Sequence, residues 1–228
     1  MATVLITGAS RGIGLELVKE YAARGDTVIA CCRNPGSATA LGEVSGKVEV
    51  HALDVADPAS VAALADELRA RPIDILINNA GILGPDYPRQ TAWEMDFDGW
   101  AEAFAVNTMG PVRVMHALID NLRASKSPRL VTITSQMGAL SLDMTMGFGY
   151  SATKAALNKF MKLAAIELGR DGINVCVIHP GWVKTEMGGS EADITPQESA
   201  HGIVATIEKL NASTNGSFWK WNGEPHDW

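Results

Sequence analysis

Val4-Leu-Ile-Thr-Gly-Ala-Ser-Arg-Gly-Ile-Gly14 is the stretch on which the fold of this chain turns. An apolar run, Val4-Leu-Ile6, enters a glycine-rich turn. A helical pattern then leaves it through Leu15, Leu17, Val18 and Tyr21. This strand–turn–helix context brings backbone N–H groups and a helix N-terminus against a pyrophosphate. Gly8 permits the tight turn, Gly12 a close approach, and Gly14 close packing of helix on strand. Ser10, Arg11 and Ile13 fill the intervening positions and share the expected cofactor contact. The spacing is G-x-x-x-G-x-G rather than G-x-G-x-x-G, so the match is one of mechanism and not of template.

Outward from this turn, short apolar runs alternate with amphipathic ones, the pattern of βα units around a parallel sheet. Strands are expected at Thr3–Ile6, Thr27–Cys32, Val48–Leu53, Ile73–Asn78, Arg129–Thr134, Asn174–Ile178 and Ser217–Trp221. Helices are expected at Gly12–Arg24, Pro58–Arg69, Trp100–Ala124, Tyr150–Gly169 and Pro196–Leu210. The last has a clear start, with Thr195 as N-cap, Pro196 at the first helical position and Glu198 three residues after the cap. The fold class is α/β, a doubly wound parallel sheet of about seven strands with helices on both faces. No linker or repeat divides the chain, so residues 1–228 form one domain. Two irregular segments, Ile82–Asp98 and Met187–Asp193, belong at the carboxyl ends of strands, where such sheets bind ligands. The second lies within a short substrate loop, residues 186–195.

The 228 residues are 46% hydrophobic and 20% charged, enough for one substantial core. A net charge of −7 without a basic run leaves no footprint for nucleic acid or an anionic membrane. No apolar stretch reaches membrane-spanning length, and Met1-Ala-Thr enters the first expected strand directly, so no signal peptide is expected. Cys31, Cys32 and Cys176 offer neither a disulfide framework nor a zinc spacing, which fits a reducing, cytoplasmic setting. The five histidines are scattered, so no metal site is expected.

Tyr150 and Lys154 stand in Gly149-Tyr-Ser-Ala-Thr-Lys-Ala-Ala156. On a helix they lie about 40° apart around the axis and about 6 Å along it, so both can face one cavity. A phenol titrates near ~10, too high for acid–base work at neutrality, but a nearby cation favours its phenolate. At ~4 Å and an effective dielectric near 20 that attraction is about 4 kcal/mol, enough to bring the phenol close to neutrality. Alone, such a pair is more often a core aromatic and a solvated charge. Ser135, at the end of the fifth expected strand, is alone an ordinary turn former, and Asn107 an ordinary capping or surface residue.

Taken in order, the glycine turn, Leu53-Asp-Val55, Asn78-Asn-Ala-Gly81, Asn107, Ser135, Tyr150 with Lys154, and Pro180-Gly-Trp-Val-Lys-Thr185 resemble the short-chain dehydrogenase/reductase family. The likeness covers nearly the whole chain. From His179 to Trp228 it is similar to the C-factor and sniffer-like carbonyl reductase branch. The resemblance implies a Rossmann-type sheet and hydride transfer between a nicotinamide and a carbonyl or alcohol. Ser135 would donate to the substrate oxygen, and Tyr150 would deliver or remove the proton. Lys154 would lower the tyrosine pKa and hold the nicotinamide ribose. Asn107 would hold a water linking Lys154 to solvent, often with a local helix distortion. The same likeness places Asp54, followed by Val55, at the adenine, with a helix-preceding cap as the alternative for Asp54. It places Asn79, Ala80 and Gly81 beneath the adenosine ribose. Pro180, Gly181, Val183 and Thr185 fall at the nicotinamide carboxamide, and Asn78 would join neighbouring strands.

An NAD site usually carries an acid about 20 residues past the glycine turn. No Asp or Glu occurs from Thr27 to Gly42, where Arg33 stands instead. Arg33 and Arg11 would hold a 2′-phosphate through their forked donors, favouring NADP(H) over NAD(H). Two solvated surface arginines are the plain alternative. Met137, Leu142, Met144, Met146 and Phe148, with Trp182 and Met187, would line an apolar substrate pocket, although core packing suits several equally well. A small apolar ketone, aldehyde or alcohol is the expected substrate. The helices at 100–124 and 150–169 form the subunit interface in relatives. Ala152, Ala155, Ala156, Ala164 and Ala165 would permit close approach there in a homodimer or homotetramer. A cofactor-binding signalling protein is the competing reading, and a sugar-nucleotide epimerase or dehydratase a more distant one.

Overall fold

The computed structural model describes residues 1–228. Seven strands form one parallel sheet: β1 (Thr3–Thr7), β2 (Thr27–Cys32), β3 (Lys47–Ala52), β4 (Ile75–Asn78), β5 (Arg129–Ile133), β6 (Asn174–His179) and β7 (Ser217–Lys220). Their order is β3-β2-β1-β4-β5-β6-β7. The direction of winding reverses between β1 and β4, which opens a crevice at the carboxyl ends of those two strands.

Alternation along each strand sends neighbouring side chains to opposite faces. On one face Leu5, Ile29, Leu76 and Leu130 pack with Leu64 of α3 (Pro58–Glu67), Val114 of α5 (Gly110–Ala117) and Leu157 of α7 (Phe148–Leu168). On the other face Val4, Ile6, Val28 and Val131 meet Leu17 of α1 (Gly12–Ala23) and Ile203 of α8 (Pro196–Glu208). The helix α8 starts at the expected capping box. Thr195 N–H donates to Glu198 at 2.8 Å, and Glu198 N–H donates to the Thr195 hydroxyl at 3.2 Å.

The single helix expected over 100–124 is instead broken. It comprises α4 (Phe97–Phe104), a π-helical turn over Ala105–Met109, α5, and α6 (Ile119–Arg123). A short α2 (Thr39–Gly42), absent from the sequence reading, links β2 to β3. β4 begins at Ile75, because the Ile73 N–H is taken by the Asn121 carbonyl at 3.0 Å rather than by a strand.

The two sheet edges are protected differently. β3 carries Lys47, Glu49 and His51, and Glu49 forms a two-pronged pair with Arg71 at 2.6 and 2.8 Å. Beyond β7 the chain turns back on itself. Lys220 N–H donates to the Glu224 carbonyl and His226 N–H to the Phe218 carbonyl, both at 2.8 Å. His226 stacks on Phe218, and Lys162 of α7 sits 4.5 Å over the Trp228 ring.

Candidate active site

The glycine turn has the geometry its residues foretell. Gly8 and Gly12 adopt φ of +66° and +55°, a left-handed conformation that favours glycine. A Cβ on Gly14 would lie 2.2 Å from the Gly8 carbonyl oxygen, so helix and turn meet there only through glycine. α1 opens with no side-chain cap on its first N–H groups and no acid in its first turn. Those donors and the helix dipole suit an anion, so the turn fits a dinucleotide pyrophosphate.

The neighbouring strand end is bolted to this turn. Asn79 donates from its side-chain amide to the carbonyls of Thr7 and Gly8 at 3.0 and 3.1 Å. The Thr7 hydroxyl accepts from the N–H groups of Asn79 and Ala80, both at 3.0 Å. The strand-joining role expected of Asn78 therefore belongs to Asn79. Asn78 instead reaches the Pro111 carbonyl at 3.4 Å, and its Oδ1 has no partner. Asp54 closes its own turn by accepting from Ala56 N–H at 2.9 Å, while Asp57 caps α3. The Val55 side chain is buried against Gly110, where a Cβ would sit 2.8 Å away.

Four residues expected to act together converge at the carboxyl end of β5. Ser135 follows the strand, and its hydroxyl accepts from Met137 N–H at 3.1 Å. Tyr150 and Lys154 project from α7 on one buried face, with the Lys154 Nζ 5.8 Å from the Tyr150 ring centroid. That ammonium donates to the Ile133 carbonyl at 3.1 Å. Gly81 borders the group: a Cβ there would lie 3.3 Å from Asn107 Oδ1 and 3.5 Å from Lys154 Nζ. Asn107, at the centre of the π-helical turn, grips Ile82 from both sides. It accepts from the Ile82 N–H and donates to its carbonyl, each at 2.8 Å, and also donates to Thr153 Oγ1 at 3.1 Å.

The electrostatics overturn one expectation. Burial pushes the Tyr150 phenol up to about 12, only partly opposed by the Ser135 hydroxyl. Burial also brings Lys154 down to about 8. Desolvation thus dominates at both groups, and no lowering of the phenol by the Lys154 ammonium offsets it.

Around the cleft, Arg33 is exposed at the end of β2 and pairs with no carboxylate, whereas Arg11 pairs with Glu186 at the start of the 186–195 segment. Thr185 lies against the turn, 3.3 Å from where a Gly12 Cβ would stand. Its hydroxyl accepts from Gly188 N–H at 3.1 Å. Val183 bridges to Ile194, and Gly181 has φ +89°. Pro180 offers its carbonyl to the Ser199 hydroxyl at 2.6 Å. Leu142, Met144, Met146, Phe148, Trp182 and Met187 are all exposed, so they are not core. Ala164 and Ala165 turn inward and are buried in their own subunit.

Sequence reasoning missed Thr153 and Asn158, which occupy the same inward face of α7. Thr153 Oγ1 donates to the Tyr150 carbonyl at 2.7 Å, and Asn158 joins Thr134 Oγ1 at 2.6 Å to the Gly138 carbonyl at 3.1 Å. Polar residues at the inward spacing of an otherwise apolar helix face were the available signal.

A doubly wound sheet with an anion-ready turn beside a buried Ser–Tyr–Lys–Asn group defines a dinucleotide-dependent oxidoreductase. The family model described as short chain dehydrogenase matches residues 2–195, and the chain belongs to that family. It is 33% identical over 171 residues to the C-signal of Myxococcus xanthus, covering 73% of this chain and 99% of that protein. The structure is similar to carbonyl reductase Sniffer of D. melanogaster, with TM-score 0.93, 27% identity and 100% of both chains covered. It is also similar to the NADPH-bound carbonyl reductase from chicken fatty liver, with TM-score 0.91, 30% identity and coverage of 100% and 99%.

Proposed function

We propose that this oxidoreductase is an NADPH-dependent carbonyl reductase acting on small or medium apolar ketones and aldehydes. The observation that carries the reading is the burial of Tyr150 and Lys154 together beside Gly81, within reach of the glycine turn. Bound in this cleft, the nicotinamide supplies the hydride.

The chain's own residues orient the carbonyl and manage one proton. Ser135 donates to the carbonyl oxygen and holds it near Tyr150. Tyr150 gives its phenolic proton to that oxygen as the carbon is reduced. A phenol with a pKa of about 12 is protonated at neutral pH, the state that reduction requires. Lys154 carries positive charge beside the reacting centre and holds the nicotinamide ribose. Asn107 fixes the Ile82 backbone over the site and holds a water that links Lys154 to solvent. Gly8, Ser10, Gly12, Ile13 and Gly14 cradle the pyrophosphate, Arg11 joins Arg33 at the 2′-phosphate, and Asp54, Val55, Asn79 and Ala80 surround the adenosine.

The preference for NADP(H) rests on Arg33, whose guanidinium has no acidic neighbour in an ion pair. Exposed methionine and aromatic side chains in 142–148 and at Trp182 and Met187, with no charged anchor singled out, suit apolar substrates. The second reading, cofactor binding for signalling without turnover, draws on the likeness to C-signal. The full Asn107–Ser135–Tyr150–Lys154 set weighs against it, because binding alone needs no proton donor.

NADPH and NADH oxidation by the purified protein across ketones, aldehydes and quinones tests the reading. Tyr150→Phe is expected to lower turnover at least about a hundredfold with NADPH binding intact. Retention of most activity in that variant would remove the proposed acid.

A further inference from the structure

The helix that carries Tyr150 begins without a cap of its own. Its N-cap residue is Gly147, in the left-handed conformation at φ +63°, and a glycine has no side chain to receive the first free N–H groups. Tyr150 is the third residue of that helix and so lies in the turn most prone to fray.

The missing cap comes from Gln90, 60 residues earlier and fully buried. Gln90 Oε1 accepts from the Tyr150 N–H at 2.9 Å, and its backbone carbonyl accepts from the Phe148 N–H at 3.2 Å. The Gln90 side-chain amide donates in turn to the Pro85 carbonyl, so the cap is itself held in place. Trp100 closes the other side, its indole N–H donating to the Gly149 carbonyl at 3.0 Å. Gly149 leaves room for both: a Cβ there would lie 3.0 Å from Trp100 Cδ1 and 3.2 Å from Gln90 Oε1.

We propose that Gln90 is a positioning residue for catalysis, a cap in trans that fixes the first turn of α7 and with it the phenol of Tyr150. This rests on the role given above to Tyr150. Lys154 stands one turn further along and has its own anchor at the Ile133 carbonyl. Loss of Gln90 therefore separates proton delivery from cofactor binding.

The chain contains three tyrosines, so 15N-tyrosine labelling follows the Tyr150 amide directly, with Tyr21 of the buried core as an internal reference. In Gln90→Met the Tyr150 amide is expected to exchange roughly tenfold faster while Tyr21 is unchanged, and kcat to fall roughly tenfold with the Kd for NADPH within about twofold. Gln90→Glu is expected to rescue kcat near about pH 5, where a buried carboxyl stays protonated and keeps both hydrogen bonds. Its rate relative to wild type then falls as pH rises and the donor to Pro85 is lost. Unchanged Tyr150 exchange, or unchanged kcat, in folded Gln90→Met overturns the proposal. If that variant loses Tyr21 protection as well, Gln90→Glu decides, and a pH-independent ratio to wild type overturns it. A wild-type protein without turnover would count against the reductase reading, while the exchange measurement would still test the cap.

Discussion

Lys154 keeps an ammonium where little solvates it. Its Nζ has the Ile133 carbonyl as its protein partner, and burial lowers its pKa from the ordinary 10.5 to about 8. The charged form therefore costs stability in the free protein. That cost is fully present below about pH 8 and is relieved as the pH rises from there to 10.5, because the folded state gives up the proton first. Lys154→Met is accordingly expected to be more stable than wild type near pH 7, by at most about 3 kcal/mol, with the advantage shrinking over that window. Urea denaturation at several pH values checks this. Tyr150 titrates in the opposite sense, its stabilising contribution being lost from about pH 10 to 12, but both proteins share it. At the same scale, Arg33→Asp is expected to raise the KM for NADPH at least about tenfold and to spare or help NADH. Steady-state kinetics with both cofactors would show an unchanged preference if Arg33 were only a surface charge. The positions of Tyr150, Lys154 and Arg33 were legible from spacing and from the absent acid. The phenol's raised pKa was not, because the sequence gives separation along a helix but not the loss of water around it.

The π-helical turn inserts an extra residue between α4 and α5, and such bulges occur often at functional sites. Here it aims Asn107 inward, where one amide satisfies both backbone groups of Ile82 and reaches Thr153. Asn107→Ala leaves the Ile82 N–H and carbonyl without those partners. It is expected to lose roughly 2–4 kcal/mol of stability, read by chemical denaturation, together with turnover. The apolar periodicity over 100–124 reads as one helix, since a single inserted residue barely alters the pattern. Asn107 was conspicuous as a polar residue inside that helix, and the family resemblance implied a local distortion there, whereas the π-helical form of that distortion goes with tertiary bonds to Ile82 and Thr153. Gln90 was invisible for a related reason. Its partner lies 60 residues away, and only the folded chain shows that α7 begins without a cap.

Across the molecule, the sheet order follows from the alternation of strands and helices, while its boundary conditions do not. The helical flank of α5, α6 and α7 exposes Phe160, Leu163 and Ile166 beside a groove of about 370 Å³ lined also by Met115 and Ile119. This is the surface through which the homodimer expected from the family resemblance would form. Light scattering at micromolar concentration is expected to give a dimer, and Leu163→Glu with Ile166→Glu a monomer with its far-ultraviolet spectrum unchanged. A wild-type monomer would remove the proposal. No helix is long and apolar enough to cross a membrane.

The returning tail has a practical meaning for anyone handling the protein. Displacing residues 224–228 from the sheet would uncover the Lys220 N–H and the Phe218 carbonyl on a strand rich in aromatic residues. An open strand edge of that kind recruits other chains. Storage lifetime then depends on keeping Trp228 seated against Phe218 and Lys162.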